Sequence, residues 1–146
     1  MNKHRILSLR QELESLAIDY WHEVDVNDGR GAPDYYTPNA VFQTSVRVYQ
    51  GIEEIRAFYR RRQSRRARVS VHVMNNFRID PQSETRVLNS YVISLYAADG
   101  TPVLPSKPAI VLGFADEALV QQPDGSWLCE SRRIRTMFRG DTPSNG

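Results

Sequence analysis

Cysteine, long apolar stretches and an excess of charge are all scarce in this sequence. Of its 146 residues one is a cysteine, Cys129, which excludes an internal disulfide and a metal site made of cysteines alone. We therefore expect a reducing compartment, the cytoplasm. No segment approaches the ~18 uncharged apolar residues of a membrane-spanning helix, so we expect no membrane contact. Charged residues follow the basic residues 1–5, and this order does not match a secretory signal.

The charge balance gives little indication of a nucleic-acid partner. Lysine and arginine number 19 against 17 acidic residues, a net charge of +2. One stretch is strongly basic and contains Arg56, Arg60, Arg61, Arg62, Arg65, Arg66 and Arg68. A solvated helix end explains this run, because cations are favoured at a helix C-terminus. Since few aromatic residues interleave with the arginines, nucleic-acid binding is the weakest of three functional hypotheses.

Changes in hydrophobic periodicity predict the order of the elements. Apolar residues recur at helical spacing from Ile6 to Val24, and the glycines of residues 28–31 end that helix. The next elements are a helical turn, two short strands and a second helix, at residues 32–36, 40–44, 47–49 and from Gly51. A period of two then predicts four long strands, at residues 68–80, 86–96, 109–120 and 127–138.

This order predicts an α+β fold in which a curved antiparallel sheet packs against the N-terminal helices as a cone. The length allows one domain, residues 1–139, followed by a polar tail, 140–146, that we expect to be flexible. The interior of such a cone suits a small apolar ligand. Alternation places a second apolar set on the other face of the first long strand, namely Val69, Val71, Val73, Phe77 and Ile79. Because monomers avoid such exposed patches, we expect a homodimer through the sheet.

Four segments resemble the SnoaL-like group of the nuclear transport factor 2-like superfamily, with a pattern close to that of scytalone dehydratase. They are residues 20–25 (YWHEVD), 36–42 (YTPNAVF), 49–55 (YQGIEEI) and 72–76 (HVMNN). Asn39 stands where the family commonly has aspartate. The resemblance covers about residues 7–138 and implies a cone-shaped α+β barrel, also described as cystatin-like, and a homodimer.

Asp25 and His72 are the candidate catalytic pair. Asp25 extends the apolar face of Ile18 and Trp21, although a solvated carboxylate at a helix end is a common alternative. The resemblance implies that a histidine at the position of His72 pairs with this aspartate. A carboxylate on one ring nitrogen fixes the tautomer and makes the other nitrogen more basic. His72 could then remove a proton next to a carbonyl, or Asp25 could itself be the base.

Aromatic residues supply further candidates for the site. Tyr20 and Tyr91 are the favoured proton donors, because a phenol at a pocket wall can donate to a carbonyl or a leaving hydroxyl. The candidate substrate-binding residues are Trp21, Phe42, Phe58, Met74, Asn76 and Phe114. Ordinary core packing is the alternative for each aromatic residue and Met74, and a structural role is the alternative for Asn76.

The leading hypothesis is therefore a cofactor-free lyase or isomerase: a dehydratase, an isomerase or a polyketide cyclase. Its substrate would be a small hydrophobic carbonyl compound, and elimination of a halide is open to the same pair. The second hypothesis is a non-catalytic module of the same fold that binds a small molecule or serves in assembly. The three histidines, His4, His22 and His72, are too dispersed to indicate a metal site.

Overall fold

The computed structural model describes residues 1–65 and 67–141, and it confirms the α+β class. Arg66 and residues 142–146 of the predicted tail lie outside the described residues. The elements are α1 (Lys3–Asn27), a 3-10 helix (Ala32–Tyr35), β1 (Tyr36–Gln43), β2 (Val48–Gln50), α2 (Ile52–Gln63), β3 (Arg68–Pro81), β4 (Arg86–Asp99), β5 (Val111–Gln121) and β6 (Trp127–Arg139). The four long strands begin and end close to their predicted positions.

Helix α1 is fixed at both ends by its own sequence. The Asn2 side chain accepts a hydrogen bond from the backbone N–H of Arg5, 2.9 Å away, which caps the first turn. At the other end Asp28 and Gly29 adopt positive φ angles of 55° and 72°. A Cβ on Gly29 would lie 2.2 Å from the ring of Tyr59. The glycine therefore lets α2 approach the end of α1.

The sheet is curved, open and mixed. Its strand order is β2-β1-β6-β5-β4-β3, so β2 and β3 form its two edges. The four long strands pair antiparallel as predicted, but β1 and β6 are parallel. The expectation of an antiparallel sheet is therefore wrong for this pair. Strand β6 inserts between β1 and β5, a long-range pairing that no local pattern reports.

A bulge in β3 changes which residues face the helices. The pairing of β3 with β4 shifts between Asn75 and Arg78, and Asn76 has a φ of 57°. Because a bulge adds one residue, the alternation reverses beyond it. Phe77 is buried and stacks on Tyr91, and Ile79 also packs against the core. The prediction that Phe77 and Ile79 share the outer face of Val71 is therefore wrong.

The core lies between the two helices and one face of the sheet. Helix α1 contributes buried side chains at helical spacing, Leu9, Leu13, Ala17, Tyr20, Trp21 and Val24. Helix α2 adds Ile55 and Tyr59. In the described part of the chain, no helix has the length and apolar character needed to cross a membrane. This packing brings the C-terminal half of α1 against the edge strand β3.

Candidate active site

Asp25 and His72 meet between the end of α1 and the edge strand β3. The Nδ1 atom of His72 lies 2.6 Å from Oδ1 of Asp25. The backbone N–H of His72 donates to Oδ2 of the same carboxylate over 2.7 Å. This confirms the expected hydrogen-bond contact of the two side chains. The backbone bond also joins the helix to the free edge of the sheet.

Two more polar side chains hold the carboxylate. The Ser70 hydroxyl donates to Oδ1 of Asp25 over 2.9 Å. Arg62, from the last turn of α2, donates through Nη2 to the Ser70 oxygen over 2.5 Å. Ser70 precedes His72 by two residues, so both side chains point to the same face of β3. Three elements therefore fix the position of Asp25.

The electrostatics favour an ionised Asp25. Burial raises the pKa of this carboxyl group, but hydrogen bonds from His72 and Ser70 and the nearby imidazole outweigh burial, so the pKa falls below its ordinary value. An ionised carboxylate accepts a hydrogen bond, which places the Nδ1 proton on His72. The lone pair of the neutral ring is then on Nε2. Among the described residues no hydrogen-bond partner of Nε2 is present.

Trp21 holds the imidazole from its other side. The rings of Trp21 and His72 stack with centroids 4.4 Å apart and an interplanar angle of 25°. The indole N–H of Trp21 donates to the Tyr91 hydroxyl over 2.8 Å. The tryptophan is thus fixed by the sheet while it packs on the candidate base. Rotation of the imidazole would break both the stacking and the bond to Asp25.

The imidazole lies between two spaces of different character. An inner cavity of about 80 Å³ lies within the cone, and its wall includes His72 and Trp21. Its apolar lining comes from Val24, Phe42, Phe58, Ile93, Leu95, Val111 and Ile134. A surface groove of about 530 Å³ runs between α1 and β3 and also includes Trp21, Asp25 and His72. The inner cavity has the more apolar lining of the two.

A buried charged network lies behind Trp21. Glu117 and Arg132 are 4% and 3% exposed, and Arg132 Nε donates to Glu117 over 2.5 Å. Glu117 also accepts from the Tyr91 hydroxyl over 2.7 Å. On its other side Arg132 donates to Tyr36, whose hydroxyl lies 2.7 Å from that of Tyr20. The network therefore connects β5 and β6 to the indole that packs on His72.

The sequence also matches a family model over most of its length. The model of the SnoaL-like domain covers residues 5–133. The chain belongs to the SnoaL-like domain family. No curated protein matches it.

Solved structures share this SnoaL-like fold at low sequence identity. A protein from Novosphingobium aromaticivorans, provisionally named scytalone dehydratase, superposes with a TM-score of 0.81 at 19% identity, covering 94% of this chain and 90% of that chain. A Catenulispora acidiphila protein in complex with S-DNPA superposes with a TM-score of 0.76 at 20% identity, covering 89% of this chain and 94% of that chain. ActVI-ORFA from Streptomyces coelicolor superposes with a TM-score of 0.77 at 16% identity, covering 89% of this chain and 98% of that chain. These likenesses confirm the fold.

Four of the predicted substrate-binding residues of this SnoaL-like domain lie at the two spaces. Trp21, Phe42 and Phe58 line the inner cavity, and Met74 lines the groove. Asn76 is exposed in the bulge of β3 and lines neither space. Phe114 pairs with Val92 on the outer face of the sheet, beneath the guanidinium of Arg135. The expectation that Asn76 and Phe114 line the pocket is therefore wrong.

The two tyrosines predicted as proton donors lie in the core. Tyr20 and Tyr91 are at most 1% exposed, and neither lines the inner cavity or the groove. Their hydroxyls bond to Tyr36 and Tyr59, and to Trp21 and Glu117, respectively. Burial raises the pKa of both phenols well above the ordinary value. The expectation that these two phenols lie at the pocket wall is therefore wrong, because both side chains are buried in the core.

Sequence reasoning missed Glu117 and Arg132, although one signal was available. Glu117 alternates with Ala115 and Leu119 on the buried face of β5, where a lone carboxylate is costly. The register places it directly opposite Arg132. Opposite charges across antiparallel strands stabilise each other.

Two other kinds of chemistry find little support in the described residues. Within residues 1–65 and 67–141, no group of three His, Cys, Asp or Glu side chains could hold a metal ion. Burial raises the pKa of Cys129 to about 12, so its thiol stays protonated and is a poor nucleophile. Among the described residues that line the inner cavity and the groove, Asp25 and His72 form a hydrogen-bonded acid–base pair.

Proposed function

We propose that this SnoaL-like protein is a cofactor-free lyase or isomerase that acts on a small hydrophobic carbonyl compound. The observation that carries the proposal is the hydrogen bond between Asp25 and His72, whose imidazole lies at the wall of an apolar cavity. The fold shared with the protein provisionally named scytalone dehydratase is consistent with this class of reaction. Dehydration, isomerisation and the ring closure of a polyketide all begin with the same proton transfer.

In the proposed mechanism His72 is the general base. Its Nε2 lone pair removes a proton from the carbon next to the carbonyl, and the C–H electron pair moves to form an enolate. The resulting imidazolium is stabilised by the ionised Asp25, which accepts the Nδ1–H hydrogen bond. Apolar walls keep water from competing for the proton. Asp25 is thus a positioning residue rather than the base.

The same imidazolium can complete each reaction. In a dehydration the enolate re-forms the carbonyl, the β-hydroxyl leaves with the C–O electron pair, and Nε2–H protonates it as water. In an isomerisation Nε2–H protonates a different carbon. In a ring closure the enolate carbon attacks a second carbonyl, and Nε2–H protonates the new alkoxide. Because Tyr20 and Tyr91 do not line the cavity, we assign the donor role to His72.

The cavity limits what enters it. Its volume of about 80 Å³ is below the roughly 300–1,000 Å³ of ligand pockets for drug-sized molecules. It is also smaller than the ~150 Å³ cavity that holds benzene in an engineered protein. We infer that a single ring or short chain enters here once the half-buried side chain of Phe58 moves aside. The rest of a larger substrate would lie outside the cavity.

Deuterium exchange tests the proposal without a known product. A panel of small hydrophobic ketones is incubated with the protein in D₂O, and NMR follows the loss of the α-proton signal. The proposal predicts that the wild-type protein accelerates exchange for at least one panel member. His4→Ala serves as a matched control, because His4 is exposed in the first turn of α1 and should leave the rate unchanged.

The same panel distinguishes the enzyme from the non-catalytic binding module. If panel compounds raise the melting temperature of the protein but none exchanges faster than in buffer, the binding module is the better assignment. Acceleration that disappears on heat denaturation of the protein supports the enzyme. The comparison uses equal concentrations of ketone in both measurements, so binding and exchange are read under the same conditions.

A further inference from the structure

The geometry points to an anion-binding recess beside the cavity, formed by Arg62 and Arg68, that holds the carboxylate or phosphate group of a ligand. As a substrate subsite it rests on the proposed function. The recess has a volume of about 340 Å³ and lies where the end of α2, the start of β3 and the loop after β4 meet. Arg62, Arg65, Arg68 and Asp28 provide its charged lining.

Buried, unpartnered N–H groups are the first evidence for a ligand. Nε of Arg62 and both Nε and Nη2 of Arg68 are removed from solvent and have no hydrogen-bond partner among the described residues. Leaving a buried charged donor unsatisfied is costly. Each guanidinium has another contact that fixes it: Arg62 bonds to Ser70, and Arg68 lies 3.5 Å from Asp99. These contacts keep both side chains at the wall of the recess, and a small rotation of each guanidinium brings its free donors to an anion there.

An excess of positive charge is the second evidence. Among the described residues, three arginines line the recess against one carboxylate, that of Asp28, which is itself 3.6 Å from Arg30. Burial lowers the pKa of Arg68, and the charges of Arg62 and Arg65 lower it further against the opposing effect of Asp99. A bound anion would relieve this repulsion. Planar guanidinium groups suit the paired oxygens of carboxylate and phosphate.

Arg62 connects the recess to the candidate active site. Its side chain lines both the recess and the inner cavity, and it bonds to the serine that holds Asp25. An acidic substituent bound in the recess would therefore place the rest of the molecule toward His72. The substrate class that follows is a hydrophobic carbonyl compound with an acidic group at one end.

The recess is tested by equilibrium binding, independently of catalysis. Inorganic phosphate and acetate are titrated separately into the whole chain at constant ionic strength, and NMR follows the arginine Nε–H signals. We expect saturable shifts for Arg62 and Arg68 and none for Arg60, which is exposed on α2. The tighter of the two ions identifies whether the natural group is a phosphate or a carboxylate.

Variants then locate the binding. Arg68→Gln should weaken binding of the tighter ion roughly 10- to 100-fold, the usual effect of losing charged hydrogen bonds. Arg60→Gln removes the same charge from the same region and should bind as the wild type does. Absence of saturable shifts in the wild-type protein, or equal affinity in Arg68→Gln, would overturn the proposal. The deuterium-exchange result has no bearing on either outcome.

Discussion

At the scale of single residues, Asp25 is the most informative side chain. It lies near the C-terminal end of α1, where the helix dipole disfavours a negative charge. Three donors offset that cost: the imidazole and backbone N–H of His72 and the hydroxyl of Ser70. The carboxylate satisfies a backbone donor at the free sheet edge and orients an imidazole. It therefore serves both the fold and the proposed chemistry.

Asp25→Asn should lower stability in a way that depends on pH. The lowered pKa of Asp25 means that its ionised form stabilises the folded state. That contribution is fully present above the ordinary aspartate pKa of about 3.9 and is lost as pH falls through the lower folded value. We expect a cost of about 1–3 kcal/mol in unfolding free energy near pH 7. Denaturant unfolding at several pH values measures it.

The matched control for this measurement is Asp19→Asn. Asp19 is an exposed carboxylate on the same helix, so its removal should change the unfolding free energy little at any pH. The difference in unfolding free energy between the wild-type protein and Asp25→Asn should become smaller as the solution is acidified below pH about 4. A difference that stays constant, or becomes larger in acid, would contradict the assignment of a stabilising ionised Asp25.

Residue by residue, the sequence supports prediction of the dyad and of part of the surrounding lining, but not of the roles of the tyrosines or of Arg62. Asp25 and His72 follow from helix and strand faces together with a family resemblance. Tyr20 and Tyr91 also face inward, yet they lie deeper than the cavity. Hydrophobic periodicity predicts which face of an element a side chain lies on. How deeply that side chain is buried depends on the distance between the helices and the sheet. The sequence indicates Arg62 only as part of a charged run, because its partner Ser70 belongs to another element.

At the scale of elements, the pairing of β5 and β6 fixes the position of the candidate base. The register sets Glu117 opposite Arg132, and Glu117 holds Tyr91, which accepts the indole N–H of Trp21. Trp21 then stacks on His72. A strand pair in the middle of the sheet thus determines the orientation of an imidazole on the edge strand.

Glu117→Gln should destabilise the protein strongly and loosen Trp21. The variant leaves the Arg132 guanidinium buried without its charge partner, which typically costs about 3–5 kcal/mol. Denaturant unfolding measures that loss, and near-ultraviolet circular dichroism of the folded variant should show a weaker tryptophan signal. Asp116→Asn is the control, because its pair with Arg135 is about one-third exposed on the outer face, so its loss should lower the unfolding free energy far less. Equal losses in the two variants would contradict the role of the network.

The elements themselves were largely predictable, and the exceptions have local causes. Long segments of alternating apolar and polar residues predict the four strands from β3 through β6, because only one face of each strand packs against the helices. The bulge at Asn76 escaped prediction because asparagine does not require a positive φ; it only tolerates one. The parallel pairing of β1 with β6 depends on the whole topology. Neither feature leaves a periodic signal.

At the scale of the whole molecule, an apolar patch lies on the outer face of the sheet, beside the charged pair of Asp116 and Arg135. Val71 and Tyr96 are cross-strand neighbours there and are 49% and 44% exposed. Phe138 lies opposite Leu112 and is 72% exposed. The patch is smaller along β3 than the sequence predicted, because Phe77 turns inward. It remains the surface through which we propose that the protein forms a homodimer.

Light scattering at micromolar concentration tests the dimer. We expect twice the chain mass of 16.8 kDa for the wild-type protein and the single-chain mass for Tyr96→Asp, because a charge there would be desolvated at the interface. Leu7→Asp places the same change on an exposed position of α1 and should remain dimeric. A wild-type protein of single-chain mass would contradict the proposal.

The α-proton exchange rate of His72→Ala, compared with that of the wild-type protein on the same ketone, tests the central claim most directly. His72 lines a cavity and is held by Asp25, so the variant should fold while it loses the base. Because a positioned acid–base group typically contributes about 10²–10⁴-fold, we predict a decrease of that size in the rate. A folded His72→Ala protein that exchanges the ketone at the wild-type rate would contradict the assignment of His72 as the base.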